Sequence, residues 1–409
     1  MTPKTILFII LLITSANFLF ELILDILNLK NGKKTLPKEA EGIYDTEKYE
    51  QSMKYQNVQT RFGFVTGGIS FIASFAFLAL GGFGWLDMLL QPYIANSILR
   101  ALSFFGVLYI VSDILTLPFQ WYGTFVIEER FGFNKSTPKI FVTDKLKGYV
   151  LGALLGGGLL YLLMLLLNNL GTQFWWVFWI AITLFTVFMN MFYTTLIMPL
   201  FNKLTPLEDG DLRKAIEEYS NKVGFPLTNI FVIDGSKRSS KANAFFSGFG
   251  KKKKVVLYDT LIENHTTNEL VAVFAHEVGH YKKKHIIQSL VSSIIQTGIM
   301  LFIMSLLIFS KKLSLALGAH ELQLHVNLIA FAMLYTPVSF VTGIISNVVS
   351  RKNEFEADRY AIETTNKNDL PIALKKLSVD NLSNLQPHPS YVFFHYSHPP
   401  LLTRLEAMK

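Results

Sequence analysis

Residues 271–285, VAVFAHEVGHYKKKH, place two histidines and a glutamate in an apolar stretch that ends in a run of lysines. On a helix, His276 and His280 are four residues apart, so both imidazoles project from one face. Two such rings can share one tetrahedral zinc ion at about 2.0–2.1 Å. Glu277 is rotated by about 100° from His276, where a carboxylate can take a proton from water rather than bind the metal. The pattern indicates a hydrolytic zinc site.

A third ligand is needed, because catalytic zinc sites use three protein ligands, and the chain contains no cysteine. The segment RKNEFEADRYA carries Glu354 and Asp358 at i,i+4 spacing, while Glu356 points roughly the opposite way. We expect Glu354 to be the third ligand and Asp358 to orient a ligand or a nearby cation. His285, five residues after His280, is rotated off the metal-binding face. The alternative is that these carboxylates form a solvated acidic helix face.

The composition places this constellation in a membrane protein. The 409 residues are 51% hydrophobic and 14% aromatic, which is too apolar for an ordinary soluble domain. The first apolar stretch continues past Ser15 and Ala16, so we expect a retained span rather than a cleaved signal peptide. The stretches long and apolar enough to cross a bilayer are 5–27, 63–84, 97–119, 148–168, 174–200, 286–309 and 325–349.

The lysines and arginines that give the chain its net charge of +8 are distributed according to the expected membrane topology. Apart from Lys4, Arg100, Lys311 and Lys312, every Lys and Arg lies in segments that share one side of the membrane. These segments are 28–62, 120–147, 201–285 and 350–409. The positive-inside rule then places the amino terminus outside and the basic segments in the cytoplasm. The charge is therefore a topology signal, and we expect no nucleic-acid partner.

Segment 201–285 is expected to be a small α/β insert. LEDGDLRKAIEEYSNKVGF predicts a helix, and NIFVID, KANAFFSGF and KVVLYDTL predict three strands, the last two joined by a basic turn through Gly250. Thr266 and Glu269 form a capping box that starts the HEVGH helix. Glu128, Glu129 and Arg130 are expected to form a structural ion-pair cluster.

The expected fold class is mainly α: a polytopic seven-helix membrane protein with a small cytoplasmic α/β zinc-protease insert. The domains divide the chain by the expected side of the membrane. They are residues 1–200 with transmembrane helices 1–5 and cytoplasmic loops, 201–285 with the insert and its HExxH helix, 286–349 with transmembrane helices 6 and 7, and 350–409 as a cytoplasmic catalytic segment.

Five motifs occur in order along residues 55–409: FVIEERFGFNK, SKRSSKANAFFSGF, HEVGH, EFEAD and HYSHPPLLTRLEA. Together they resemble the type I CAAX prenyl proteases, integral-membrane zinc metalloproteases of the HExxH…E gluzincin type. The resemblance implies seven spans around a water-filled intramembrane chamber, with one Zn²⁺ per chain at its cytoplasmic end. It also implies the metal ligands and the general base, namely His276, His280, Glu354 and Glu277.

The same resemblance implies roles near the metal for Asn243, His398 and Arg404. Asn243 lies in a strand that could be an exposed edge, to which a substrate peptide adds as a further strand; otherwise it is a polar residue on a wet strand face. His398 precedes two prolines and could donate a hydrogen bond to the oxyanion of the reaction. Arg404 could brace Asp358 or Glu354, or lie at the surface.

These features predict a zinc metalloendopeptidase with Glu277 and His398 as catalytic residues, and the resemblance implies that it removes the C-terminal tripeptide of prenylated proteins. The alternative is a broader membrane-protein quality-control protease with no prenyl requirement. A non-enzymatic zinc transporter or scaffold is less consistent, because transporters place ligands near the bilayer midplane. Expected partners are a peptide or prenylated C-terminus and the bilayer. The compact length and lack of cysteine favour a bacterial cell membrane, with the endoplasmic reticulum membrane as the eukaryotic equivalent.

Overall fold

The computed structural model describes residues 1–32, 36, 41–42, 44–227, 229–247 and 254–409, without the side chains of 229, 246 and 247. The predicted turn through Gly250 lies outside these residues. In chain order the helices are α1 (Pro3–Asn31), α2 (Thr46–Ala79), α3 (Gly82–Leu90), α4 (Ser97–Tyr122), α5 (Pro138–Leu151), α6 (Gly157–Leu170), α7 (Phe174–Leu196), α8 (Asp211–Lys222), α9 (Asp259–Asn264), α10 (Thr267–Lys282), α11 (His285–Leu307), α12 (Lys311–Ala316), α13 (Leu324–Thr364), α14 (Asp369–Asp380), α15 (Pro389–His395) and α16 (Leu401–Ala407).

The chain is mainly helical, and six helical segments in its described part are long and apolar enough to cross a membrane. They are Pro3–Asn31, Thr46–Ala79, Ser97–Glu128, Pro138–Leu200, His285–Leu307 and Leu324–Thr364. The sequence predicted seven, since 148–168 and 174–200 were separate spans. Both lie inside Pro138–Leu200, because only a single turn of 3-10 helix, Gly171–Gln173, separates α6 from α7. Gly171 has a positive φ of 52°, and α6 and α7 pack against each other.

A four-stranded sheet lies between α7 and α10 in the chain. Its strands are β1 (Leu204–Pro206), β2 (Asn229–Ile233), β3 (Ala244–Ser247) and β4 (Lys254–Tyr258), arranged in the order β1-β2-β4-β3. β2 and β4 are parallel, and the outer pairs are antiparallel. The three predicted strands are present as β2, β3 and β4. β1 was not predicted, because a three-residue strand that ends in proline is too short to show alternating apolar and polar residues. β3 is an edge strand.

Helix α10 is the centre of the α/β part. It packs against α8, α13 and α14, and its residues from Leu270 to Gly279 are buried with the exception of Val271 and Glu277. A helix buried on most of its circumference cannot present polar groups to solvent freely. His276 is therefore enclosed by protein, with 8% of its surface exposed.

The predicted capping box fixes the start of α10. The hydroxyl of Thr266 accepts from the backbone N–H of Glu269 at 3.4 Å, and the Glu269 carboxylate accepts from the Thr266 backbone N–H at 3.0 Å. Lys376 of α14 donates to the same carboxylate at 2.8 Å. Burial raises the pKa of Glu269, but these hydrogen bonds outweigh it and lower the pKa below its ordinary value.

Thr266→Ala removes the hydroxyl that caps α10 and should destabilise the protein by about 1 kcal/mol, the usual cost of losing such a cap. The expected observation is a lower midpoint of thermal unfolding in detergent. Thr266→Ser keeps the hydroxyl and should unfold close to the wild-type midpoint. Equal midpoints for the two variants would show that the cap contributes nothing.

Candidate metal centre and active site

Helices α10 and α13 bring three potential ligands together. His276 and His280 come from α10, one turn apart, and Glu354 comes from α13. The Nε2 atoms of the two rings are 3.2 Å apart. The carboxylate oxygens of Glu354 lie 3.5 Å from His276 Nε2 and 3.2 Å from His280 Nε2. All three ligand atoms lie within 4.8 Å of one another, so these side chains could hold a metal ion.

The chemistry of this group fits a zinc ion. Two imidazoles and one carboxylate form a known donor set of catalytic zinc sites. Glu354 is 3% exposed, and its Oε2 atom is buried with no hydrogen-bond partner in the described part of the chain. A buried carboxylate oxygen without a partner is costly, and a bound cation would satisfy it.

The imidazole of His276 is contacted by Asp358, which in turn is contacted by Arg404. Asp358 Oδ1 lies 2.8 Å from His276 Nδ1. Arg404 of α16 donates to both oxygens of Asp358, at 2.8 and 2.5 Å, in the bidentate geometry that makes such pairs strong. Its guanidinium is also 3.7 Å from Glu354 Oε2. Of the two partners considered for Arg404, Asp358 is therefore the one it contacts most closely.

This arrangement sets the charge on His276. Burial, the largest influence, lowers the pKa of the imidazole, but the carboxylates of Asp358 and Glu354 reverse this and raise it to about 9. The pocket therefore stabilises positive charge on the imidazole ring of His276. A metal cation bound to this ring would take the place of the added proton.

Glu277 is half-buried beside the three potential ligands and lines a cleft of about 710 Å³. Burial raises the pKa of its carboxyl, with the rings of His276 and His280 acting in the opposite direction. A carboxyl with a raised pKa holds a proton more readily at neutral pH, as a general base in catalysis must after it has accepted one.

The remaining predicted site residues line the same cleft. His398 is exposed and has its Nε2 atom 3.4 Å from Glu354 Oε1. Desolvation in the cleft lowers its pKa more than Glu354 raises it, which favours a neutral ring. Asn243 is exposed and immediately precedes β3 rather than lying inside it. Its backbone carbonyl accepts from Tyr258 at 3.1 Å, and its side-chain oxygen accepts from the N–H of Ala244 at 2.8 Å.

Comparisons with known proteins show the family of this chain. The family model described as CAAX prenyl protease N-terminal, five membrane helices, matches residues 25–203, and the model described as Peptidase family M48 matches residues 206–409. The CAAX prenyl protease 1 homolog of Arabidopsis thaliana is 38% identical over 400 residues, covering 96% of this chain and 94% of the relative. The chain belongs to peptidase family M48.

Further relatives extend the match over the whole chain. CAAX prenyl protease 1 of Saccharomyces cerevisiae is 33% identical to this M48 protein, covering 93% of this chain and 89% of the relative. The crystal structure of S. mikatae Ste24p superimposes with a TM-score of 0.94 at 32% identity, covering 99% of each chain. This M48 protein is thus an integral, multi-pass membrane metalloprotease.

The expectation of a bacterial source is not supported, because the relatives from Arabidopsis thaliana and Saccharomyces cerevisiae are eukaryotic. It rested on compact length and the absence of cysteine. Neither property identifies the kind of organism, because a metal site built from nitrogen and oxygen ligands needs no thiolate in any organism.

Two residues next to the site make contacts that the sequence of this M48 protein did not predict. His285 is indeed off the metal-facing side of α10, but its Nδ1 atom lies 3.1 Å from the Nδ1 atom of His280. Glu356 points away from the Glu354 face of α13, and its carboxylate lies 3.2 Å from His285 Nε2. No spacing in the sequence could reveal these contacts, because His285 begins a new helix after Lys284, whose φ is +62°.

The predicted cluster of Glu128, Glu129 and Arg130 is wrong, because these side chains pair elsewhere. Glu128 accepts from Lys241 at 3.1 Å and from Tyr55 at 2.6 Å. Glu129 accepts from Asn134 at 2.9 Å, and Arg130 lies over the ring of Phe131. The Lys241 contacts connect the segment that precedes β3 with α2 and with Gly123–Glu128, the helical segment that follows α4.

The glycine of HEVGH sets the distance between α10 and α13. A Cβ atom on Gly279 would lie 3.0 Å from the Cα and carbonyl oxygen of Ala357, tighter than ordinary packing allows. Gly279→Leu should therefore push α13 away and separate Glu354 from the histidines. We expect loss of metal binding together with hydrolysis, measured as zinc content and rate.

Gly343→Leu is the matched control for this substitution. Gly343 is also in a helix, but a Cβ atom there meets nothing within 4 Å. Zinc content equal in the two variants would contradict the view that the close approach at Gly279 builds the site.

Proposed function

We propose that this membrane metalloprotease is a zinc endopeptidase in which His276, His280 and Glu354 hold one Zn²⁺ ion. The convergence of these three side chains within 4.8 Å, in a chain of the M48 family, carries the proposal. Asp358 and Arg404 fix the orientation of His276 from the side opposite the metal. Hydrogen bonds of this kind hold a metal-binding imidazole in the required tautomer and orientation.

A zinc ion held by His276, His280 and Glu354 would supply Lewis acidity toward a water molecule and the substrate carbonyl. Glu277 accepts the proton of the attacking water and later delivers it to the leaving amine. His398, at the rim of the cleft, donates a hydrogen bond to the oxygen that becomes negatively charged during the attack. Its place in the cleft lining and the 3.4 Å distance from its Nε2 atom to Glu354 Oε1 support this role.

The substrate is proposed to bind as an additional strand along β3. This strand is one of the two edge strands of the sheet in the described part of the chain, and Ala242, Asn243 and Ala244 line the cleft beside Glu277. An edge strand offers unpaired backbone groups, which recognise an extended peptide largely independently of its side chains. The exposed amide of Asn243 then contacts the peptide near the bond that is cleaved.

Seven membrane crossings are proposed, with the active site on the cytoplasmic side. The 63 residues of Pro138–Leu200 would extend about 95 Å as one straight helix, far more than a bilayer requires. The packing of α6 against α7 supports two crossings within this segment. The distribution of lysine and arginine supports the orientation.

A cavity between α11 and α13 that many hydroxyl and amide side chains line supports a water-filled interior. It has a volume of about 500 Å³ and contains many Ser, Thr and Gln side chains. On both α11 and α13, the residues that line the cavity repeat at helical spacing along one face of the helix. The lining includes Gln288, Ser292, Gln296, Thr297, Ser339, Thr342 and Ser346. Such rows of polar side chains are unfavourable against lipid, which supports a chamber inside the helix bundle.

The substrate class is proposed to be the C-terminal tripeptide of prenylated proteins, as the names of the relatives suggest. The test compares a farnesylated CAAX peptide, its unprenylated twin and an unrelated apolar peptide. Burying only two methylene groups of the isoprenoid contributes about 1.6 kcal/mol, so kcat/KM should favour the farnesylated peptide at least about 10-fold.

Equal rates on all three peptides would remove prenyl recognition and support the quality-control alternative. Recognition through the backbone at β3 favours that second function, because it makes few demands on substrate side chains. A chain that binds zinc but cleaves none of the peptides would contradict both. It would return the transporter or scaffold interpretation to consideration.

A further inference from the structure

The two histidines of the metal centre are supported in different ways. His276 is backed directly by a carboxylate, since Asp358 Oδ1 lies 2.8 Å from its Nδ1 atom. His280 is backed instead by another imidazole, that of His285 at 3.1 Å. The second nitrogen of His285 in turn faces the carboxylate of Glu356 at 3.2 Å. These contacts form a chain from His280 through His285 to Glu356.

The direction of the hydrogen bonds along this chain is set by chemistry. When His280 binds a metal through Nε2, its Nδ1 atom carries the remaining hydrogen and must donate it. His285 Nδ1 accepts this hydrogen bond, which leaves the hydrogen of His285 on Nε2. That N–H group then donates to Glu356. Each nitrogen of the two rings is satisfied, with both imidazoles neutral.

The local backbone holds His285 in this position. His285 is the first residue of α11 and is 5% exposed. Lys284, just before it, adopts a left-handed conformation with φ +62°, which separates α10 from α11. Glu356 lies two residues after Glu354, inside α13. The contacts from His280 to Glu356 therefore connect the end of α10 and the start of α11 with α13 at the metal centre.

We propose that His285 is a positioning residue that, together with Glu356, fixes the ring orientation of His280 for metal binding. This rests on the proposed zinc site but adds residues to it. Neither side chain is among the described residues that line the substrate cleft. Their effect therefore acts through metal affinity and not through substrate binding.

The primary test is His285→Ala in the full-length detergent-solubilised protein. The zinc dissociation constant is measured by competition with a chromogenic chelator. Losing an outer hydrogen-bond partner of a metal ligand typically weakens metal affinity by about 10- to 100-fold, and this is the expected change. Substituting Co²⁺ and recording its visible absorption gives a second readout, because a reoriented imidazole changes the ligand field. KM measured at saturating zinc should stay unchanged.

His320→Ala is the matched control, since His320 is exposed and belongs to the turn before α13, remote in sequence from the metal ligands. His285→Asn is the conservative variant, because its side-chain oxygen can accept from His280 in place of Nδ1. It should recover part of the lost affinity. Glu356→Ala should weaken zinc binding less than His285→Ala, since it leaves the first hydrogen bond intact.

A zinc dissociation constant for His285→Ala within about twofold of wild type would overturn the proposal. So would equal losses in His285→Asn and His285→Ala, which would indicate a packing effect. If His285→Ala fails to fold, Glu356→Ala tests the proposal in the same assay. Glu356 is half-exposed and is the last side chain in the series of hydrogen bonds that starts at His280. A wild-type protein that binds no zinc would instead contradict the proposed function, so the two failures are distinguishable.

Discussion

Glu277→Gln is expected to leave zinc bound and to reduce peptide hydrolysis by about 10²- to 10⁴-fold, the range attributed to a positioned general base. Glutamine has nearly the same shape as glutamate but cannot accept a proton from water at neutral pH. His276, His280 and Glu354 are untouched by this change and keep their mutual distances. The measurements are zinc content by elemental analysis and kcat with a quenched-fluorescence peptide.

Glu263→Gln is the control for this substitution, because Glu263 is an exposed glutamate at the end of α9. It removes the same charge from the same part of the chain and should leave kcat unchanged. Hydrolysis by Glu277→Gln at the wild-type rate would exclude this carboxylate as the base. Loss of zinc from Glu277→Gln would instead show that Glu277 acts as a ligand.

Glu354→Ala is expected to abolish both zinc retention and hydrolysis. The substitution removes the one carboxylate of the proposed ligand set and leaves two imidazoles, which form an incomplete catalytic zinc site. Zinc content after dialysis should fall from about one ion per chain to near zero, and activity should fall with it. This result differs from that expected for Glu277→Gln, which keeps its zinc while its hydrolytic activity is lost.

Thermal unfolding provides an independent measure of the same loss. A ligand that binds only the folded state stabilises it by RT ln(1 + [L]/Kd), so zinc added to the metal-free wild type should raise its unfolding midpoint. Glu354→Ala should show no such rise. Glu363→Ala, at an exposed position of the same helix, should behave as wild type. A zinc-dependent rise in Glu354→Ala would show that Glu354 is not a ligand.

Helical periodicity was sufficient to predict the local parts of the site. The four-residue spacing of His276 and His280 places their rings on one face of α10, and that face meets Glu354 in the fold. The capping box of Thr266 and Glu269 was predicted from the residue types alone and is present in the structure. Each of these features depends on residues within about one helical turn, where sequence spacing fixes geometry.

Contacts between elements could not be predicted in the same way. His285 reaches His280 across the break between α10 and α11, where Lys284 adopts a left-handed conformation. Lysine adopts this conformation rarely, and no sequence pattern predicts it here. Glu128 pairs with Lys241, more than a hundred positions away, rather than with its neighbour Arg130. The orientation of Arg404 toward Asp358 depends on how α16 packs, so the sequence left two partners open.

The length of α13 has a consequence for how this protein can adapt to membranes of different thickness. One uninterrupted helix of 41 residues contributes polar side chains such as Ser339 to the interior cavity and, further along, Glu354 to the metal centre. Inserting a single residue between them turns one end by about 100° relative to the other. Either the serine and threonine row would then face acyl chains, or the carboxylate would leave the imidazoles. The number of residues between Ser339 and Glu354 is therefore fixed by the requirement that both keep their positions around the helix axis.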